Sequence, residues 1–149
     1  MHARHKNIDK PVVITFNGSF HGRTMATLSA TGNDKVHNGF SPLLGDFLHL
    51  PYNDIAAIEN VTDNKNIVAV MVEPILGEGG IVIPDDGYLA AIRSICDTHN
   101  WLMICDEIQT GVSRTGHWYA SIGQGVMPDV ITSAKALGNG IPILSLIHI

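Results

Sequence analysis

The sequence predicts an α/β fold, a mostly parallel sheet with flanking helices, and three observations carry that expectation. Four short apolar runs, Val12–Phe16, Ile67–Val72, Leu102–Cys105 and Val130–Thr132, are rich in β-branched residues and bounded by turn formers. Continuous hydrophobic runs of this kind suit strands buried on both faces of a parallel sheet. Between the second and third runs, roughly Gly87–His99, the apolar residues Leu89, Ile92, Ile95 and Cys96 recur at helical spacing and fall on one face. Strand, helix and strand of these lengths imply a right-handed crossover between parallel neighbours.

Each element has its local signals. Pro84, Asp85 and Asp86 precede the long helix, where a fixed φ and negative charge suit the positive end of the dipole. Asn100 is placed to close it. A second helix is expected over Arg23–Thr31, after the first strand. No repeat, low-complexity tract or linker interrupts the 149 residues, a length suited to one domain with a real core.

Composition narrows the classes of function. Apolar residues make up 45% and charged residues only 15%, below the usual quarter, so much of the surface should be covered by a second subunit or a further domain. The net charge of −5, with no basic run, argues against a nucleic-acid partner. No apolar stretch is long enough to span a bilayer, and Met1–Lys10 lacks the apolar core of a signal peptide, so a cytoplasmic protein without membrane contact is expected. Cys96 and Cys105 show neither a CxxC nor a zinc spacing and read as reduced, buried thiols. The eight histidines form no HExxH or clustered pattern, so no metal site is expected. The glycines around Glu78 match neither the dinucleotide fingerprint nor the P-loop.

Open α/β sheets bind ligands beyond the carboxyl ends of their strands, and those ends carry the polar groups here. The first run leads into Asn17-Gly18-Ser19-Phe20-His21-Gly22-Arg23. The second ends at Glu73-Pro74 before Gly77-Glu78-Gly79-Gly80, the third at Asp106-Glu107-Ile108-Gln109, and the fourth at Ser133-Ala134-Lys135. Lys135 is the only lysine after Lys65 and has mostly apolar neighbours. Such surroundings disfavour the ammonium form and free the amine to attack a carbonyl. Taken alone, Lys135 reads more readily as a surface lysine whose head reaches water. Asp106 tips the balance. A buried aspartate needs a cationic partner, and the protonated ring nitrogen of pyridoxal 5'-phosphate (PLP) is one.

The blocks Phe20-His21-Gly22-Arg23-Thr24, Glu73 to Gly80, Asp106 to Gly111 with Arg114-Thr115-Gly116, and Ser133 to Gly138 resemble, in order and spacing, those of the class III aminotransferases. The likeness runs from about Pro11 to Ile143 and is greatest to the acetylornithine and ornithine aminotransferases. It implies a partial PLP-binding large domain over residues 1–143. Lys135 would join the cofactor's aldehyde and act as base for the 1,3-proton shift, Asp106 would pair with the ring nitrogen, and Gln109 would reach the ring's phenolic oxygen. Phe20 would stack on the ring, and Arg23 would grip a substrate carboxylate with its planar fork. Glu78 matches the glutamate that pairs with an arginine of the small domain. Glu73 is expected behind the site, Glu107 either there or as a structural acid of the same turn, and His21 as a packed or hydrogen-bonded residue of its motif.

The resemblance implies an amino donor such as N-acetylornithine or a related ω-amino acid, 2-oxoglutarate as acceptor, a step of arginine biosynthesis, and a homodimer. The alternatives within the family are ornithine, succinylornithine and 4-aminobutyrate aminotransferases and related aminomutases. Outside it stands an inert fragment that folds without PLP. Leu76 stands where the family usually has Gln. The phosphate-binding loop is expected upstream of Met1, and the small domain and the threonine given to the partner's phosphate downstream of Ile149. Residues 144–149, Leu-Ser-Leu-Ile-His-Ile, resemble a translated transposase-type sequencing adapter and are expected to be non-native.

Overall fold

The computed structural model describes residues 2–148, the side chains of Ile147 and His148 apart. Its centre is one six-stranded sheet in the order β2-β1-β3-β4-β5-β6. The strands are β1 (Val12–Phe16), β2 (Phe47–Leu50), β3 (Ile67–Val72), β4 (Leu102–Asp106), β5 (Val130–Ala134) and β6 (Leu144–His148). The first five run parallel, and β6 pairs antiparallel with β5, Ala134 opposite Leu144.

The four apolar runs are β1, β3, β4 and β5, with β4 and β5 slightly longer than expected. In β3 every residue but Met71 is buried, as for a strand covered on both faces. β2 escapes the sequence pattern because Phe-Leu-His-Leu is short and half-buried at the sheet edge.

The helices are α1 (His2–His5), α2 (Met25–Ala30), α3 (Asp34–His37), α4 (Ile55–Glu59), α5 (Tyr88–His99) and α6 (Ala120–Gly123). In α5 the buried residues are Tyr88, Leu89, Ile92 and Cys96, and Asn100 ends the helix in the left-handed conformation. α2 is shorter than expected. Thr24 stands at its N-cap, its N–H donating to Thr27 Oγ1 at 3.1 Å, which leaves Arg23 outside the helix.

Helix α5 lies on β3 and β4, enclosing a core that includes Ile14, Phe16, Val70, Ile92 and Met103. Phe16, Tyr52 and Tyr88 meet edge to face, with centroids 5.2 to 6.1 Å apart, and tie β1 to the long helix. Cys96 and Cys105 are free and buried, and burial pushes the Cys96 thiol up to about 12. No helix among the described residues is long and apolar enough to cross a membrane.

Residues 144–148, expected to lie outside the fold, form β6. A main-chain ladder can be built by almost any side chains, and Leu144 and Leu146 remain 72% and 63% exposed. The strand therefore carries no information about where these residues come from.

Because β1 has β2 on one side and β3 on the other, the strand order reverses there. In open α/β sheets the chain diverges at such a point and leaves a crevice above the carboxyl ends. The loops after β1 and β3 meet at this crevice.

Candidate active site

The loop after β1 is held down on the ends of its neighbours. Phe20 N–H donates to Glu73 Oε2 at 3.0 Å, and His21 N–H donates to Thr31 Oγ1 at 2.9 Å. Gly32 ends the α2 connection against β1, where a Cβ would lie 2.0 Å from the Phe16 carbonyl oxygen. Glu73 is held in turn, because Tyr52 Oη donates to its carbonyl at 3.0 Å and to that of Pro74 at 3.2 Å. With 3% of its surface exposed, its carboxyl is pushed up to about 7 by burial, against the pull of the Phe20 N–H and His21.

Asp106 ends β4, opposite Thr132 of β5, and is also 3% exposed. His21 Nδ1 lies 2.7 Å from its Oδ2, while Ile108 N–H and Thr132 Oγ1 donate to Oδ1 at 3.2 and 3.0 Å. Since a carboxylate has no proton to give, His21 carries one on Nδ1. His21 is a hydrogen-bonded residue, as its motif suggested, and its Nε2 is buried without a partner among the described residues. A carboxylate offers about four acceptor positions. Three are filled, so Asp106 can accept one further N–H.

Extended neighbours point to opposite sides, and this divides Asp106 from Glu107. The buried Glu107 carboxylate accepts from Thr110 Oγ1, from Ala120 N–H at 3.1 Å and from Ser121 N–H at 2.8 Å. It fastens the loop after β4 to the start of α6 and does not face the His21–Asp106 pair.

Beside this buried group lies a cleft of about 430 Å3, lined by Ile75, Ile81, Ile108, Gln109, Arg114 and Lys135 among others. Gln109 crosses Gly77 so closely that a Cβ there would lie 2.4 to 2.6 Å from its amide. Lys135 follows β5 directly, with φ +47, a left-handed backbone uncommon outside glycine. Its expected apolar setting is only partly present. Ala134 is buried, but Lys135 itself is exposed, at the start of the short 3-10 turn Lys135–Gly138 that follows the carboxyl end of β5 beside the cleft.

The predicted residues thus fall into two adjoining groups. Phe20, His21, Glu73 and Asp106 form one hydrogen-bonded cluster, and Gln109 and Lys135 share the cleft. Arg23 is exposed, with its guanidinium 5.6 Å from the Phe20 ring centroid. Glu78 is exposed and does not line the cleft. Leu76, unexpected at its position, is 3% exposed and its Cδ1 would touch a Cβ on Gly18, so an apolar side chain fits the space.

Thr132 and Tyr52 were missed by sequence reasoning, and Gly77 and Arg114, though part of its motifs, were given no role. For Thr132 a signal existed, a hydroxyl that interrupts an apolar run three residues before the lysine. Nothing local marks Tyr52, whose partners lie across the sheet.

The loops at the carboxyl ends of this sheet bring a carboxylate, an amide and an amine to one rim, where open α/β sheets bind ligands. Comparison with known proteins gives the family. The class-III aminotransferase model matches residues 1–148, and the chain belongs to that family. It is 47% identical over 144 residues to an acetylornithine aminotransferase of Nitrosomonas europaea, covering 96% of this chain and 37% of the relative. It is 51% identical over 142 residues to one of Bacillus cereus, covering 95% and 36%. Among solved structures, ornithine aminotransferase from Toxoplasma gondii superposes with a TM-score of 0.92 at 36% identity, covering 98% of this chain and 35% of that one. N-acetylornithine aminotransferase from Stenotrophomonas maltophilia gives 0.79 at 37%, covering 98% and 35%. The chain spans little more than a third of the length of these relatives.

Proposed function

We propose that the protein carrying this sequence is a PLP-dependent aminotransferase that moves an amino group from N-acetylornithine, or a related ω-amino acid, to 2-oxoglutarate in arginine biosynthesis. The observation that supports it most is the remaining acceptor position on buried Asp106, which ends the strand next to the one that leads into Lys135, an amine without a partner among the described residues. The donor set suits the cofactor group by group: a carboxylate for a ring N–H, the Gln109 amide for a ring oxygen, an amine for an aldehyde and Phe20 for the ring face. When bound, PLP supplies an electron sink for charge at the carbon next to the transferred nitrogen. Asp106 would hold a positive ring nitrogen, with His21 and Thr132 fixing its carboxylate. The Lys135 amine would hold the cofactor's aldehyde group and, when free, take up and return the proton of the donor carbon. Arg23 receives a substrate carboxylate through its fork, and Glu78 faces outward for an arginine from a further domain.

The names of the relatives favour N-acetylornithine over the other donors. Exposed Ile81, Ile83, Trp118 and Ile141 support a homodimer, since soluble monomers rarely leave so much apolar surface bare. A cytoplasmic location agrees with two free, buried cysteines. Exposed Lys135 favours a second reading for the 149 residues in isolation, a chain that folds without retaining PLP.

The test takes the full-length product of the gene, adds PLP, reduces with borohydride and maps the adduct by mass spectrometry. The cofactor is expected on the peptide containing Lys135 and to be lost in Lys135→Ala. An adduct elsewhere, or one that survives the substitution, rejects the assignment. Amino-donor profiling of the same product then decides among N-acetylornithine, ornithine, succinylornithine and 4-aminobutyrate.

A further inference from the structure

Glu107 is wholly buried, and the donors on its carboxylate come from the loop after β4 and the start of α6. Ser121 N–H donates to Oε1 at 2.8 Å, Ala120 N–H to Oε2 at 3.1 Å, and Thr110 Oγ1 to the same Oε2. A carboxylate is costly to bury, and charge-assisted bonds from three donors offset that cost. The side chain thereby ties Thr110 to the first residues of α6.

Between these ties the backbone takes an uncommon course. Val112 and Ser113 stand at φ +55 and +64, a conformation that persists only where its surroundings over-determine it. Gly111 N–H donates to the Glu107 carbonyl at 2.8 Å, and Val112 N–H to that of Trp118 at 2.7 Å. A Cβ on Gly111 would lie 2.7 Å from the Glu107 carbonyl oxygen and 3.1 Å from the Tyr119 ring, so the turn is closely packed. Gln109 sits inside it. On one side Ile108 N–H donates to Asp106 Oδ1 at 3.2 Å, and on the other Thr110 is held by Glu107. Two adjacent acids whose side chains serve separate clusters thus grip one turn, and that turn presents Gln109 to the cleft against Gly77.

We propose that Glu107, acting through Thr110, is a positioning residue for Gln109. Its carboxylate sets where the Gln109 amide stands in the cleft, and so how firmly the cofactor's ring oxygen is held. Glu107 itself touches neither the cleft nor the His21–Asp106 pair. The proposal rests on the aminotransferase reading for the use of Gln109, whereas the tie between Glu107 and Thr110 can be measured without cofactor.

The test uses the full-length product of the gene with Thr110→Val, which exchanges the hydroxyl for a methyl of similar size, and Thr110→Ser, which keeps the hydroxyl. In cofactor-free protein, amide exchange across residues 108–116 should quicken in the Val variant and stay near wild type in the Ser variant. In PLP titrations, Thr110→Val should weaken binding roughly tenfold and Thr110→Ser less than about twofold. In a Gln109→Ala background, Thr110→Val should add less than about twofold, since changes that act through one contact do not add. The pH midpoint of the bound cofactor's absorbance should move the same way in Thr110→Val as in Gln109→Ala. Penalties that multiply in full in the double variant overturn the proposal, as does unaltered exchange in Thr110→Val. A lowered melting temperature with unaltered PLP affinity would make the hydroxyl structural only, and overturns it too. Should Thr110→Val not fold, Thr110→Ala is read in the same way; failure of both would make the bond a requirement of the fold and reject the positioning role. A wild-type protein that takes up no PLP on Lys135 would sink the aminotransferase reading, while the exchange measurement would still read the tie.

Discussion

At the scale of single residues, the part of the site around Asp106 is a set of buried polar groups, with His21 Nε2 the atom left without a partner among the described residues. His21 is the one donor to Asp106 Oδ2 among the described residues. His21→Phe fills similar space but leaves that oxygen unpaired, and should cost about 1–3 kcal/mol in urea unfolding; an unmoved midpoint would show the pair to be dispensable. Glu73 gives a prediction with a definite sign. Its carboxyl rises from 4.5 to about 7 on folding, so the folded state holds a proton that the unfolded state has released. Stability should fall as pH climbs from about 4.5 to 7 and then level off. Glu73→Gln keeps an oxygen for Phe20 N–H and should flatten this slope in a series of melts; a slope equal to wild type would assign it to other groups. Glu73, Asp106 and Lys135 were legible in the sequence because each is a charge at the end of an apolar run. The hydrogen-bond partners of Glu73 and Asp106 were not, since Tyr52, His21 and Thr132 reach them from strands or loops 21 to 85 residues away.

At the scale of elements, regular periodicity was readable and brevity was not. The runs of β1 and β3 show their bounds because β-branched residues take four of five and four of six positions, between polar or turn-forming neighbours. β2 and the helices α1, α3, α4 and α6 have four or five residues each, too few to display a period, and are set by what they pack against. Two glycines make a telling pair at this scale. In Gly32→Ala the new methyl would strike the main-chain carbonyl of Phe16, which cannot step aside, and should destabilise by about 1–3 kcal/mol in denaturant melts. In Gly77→Ala it would strike only the end of Gln109, which can swing away. That variant should melt near wild type yet bind PLP more weakly, because Gln109 is displaced from the cleft. Equal melting of both variants would contradict this division.

At the scale of the whole molecule, the low charge content predicted a surface meant to be covered, and the structure leaves Ile81 of the cleft lining, Ile83, Trp118 and Ile141, and Leu144 and Leu146 of β6, exposed. The tail makes a separate prediction. Amplified from its source, the gene should continue past codon 143 in the pattern of the class III family; a stop after Ile149 would make the last six residues native.

The sheet itself carries a consequence for how this chain comes to be folded. Every parallel pairing joins segments far apart in sequence, and the site draws on the ends of β1, β3, β4 and β5 together. Loop closure must come before such contacts reward it, so topologies of this type assemble slowly. The bonds from His21 to Asp106 and from Phe20 to Glu73, spanning 85 and 53 residues, can form only after the central strands are in register. Cofactor capture would then report that assembly is complete, and cells lacking PLP should accumulate more of the partly assembled, aggregation-prone chain.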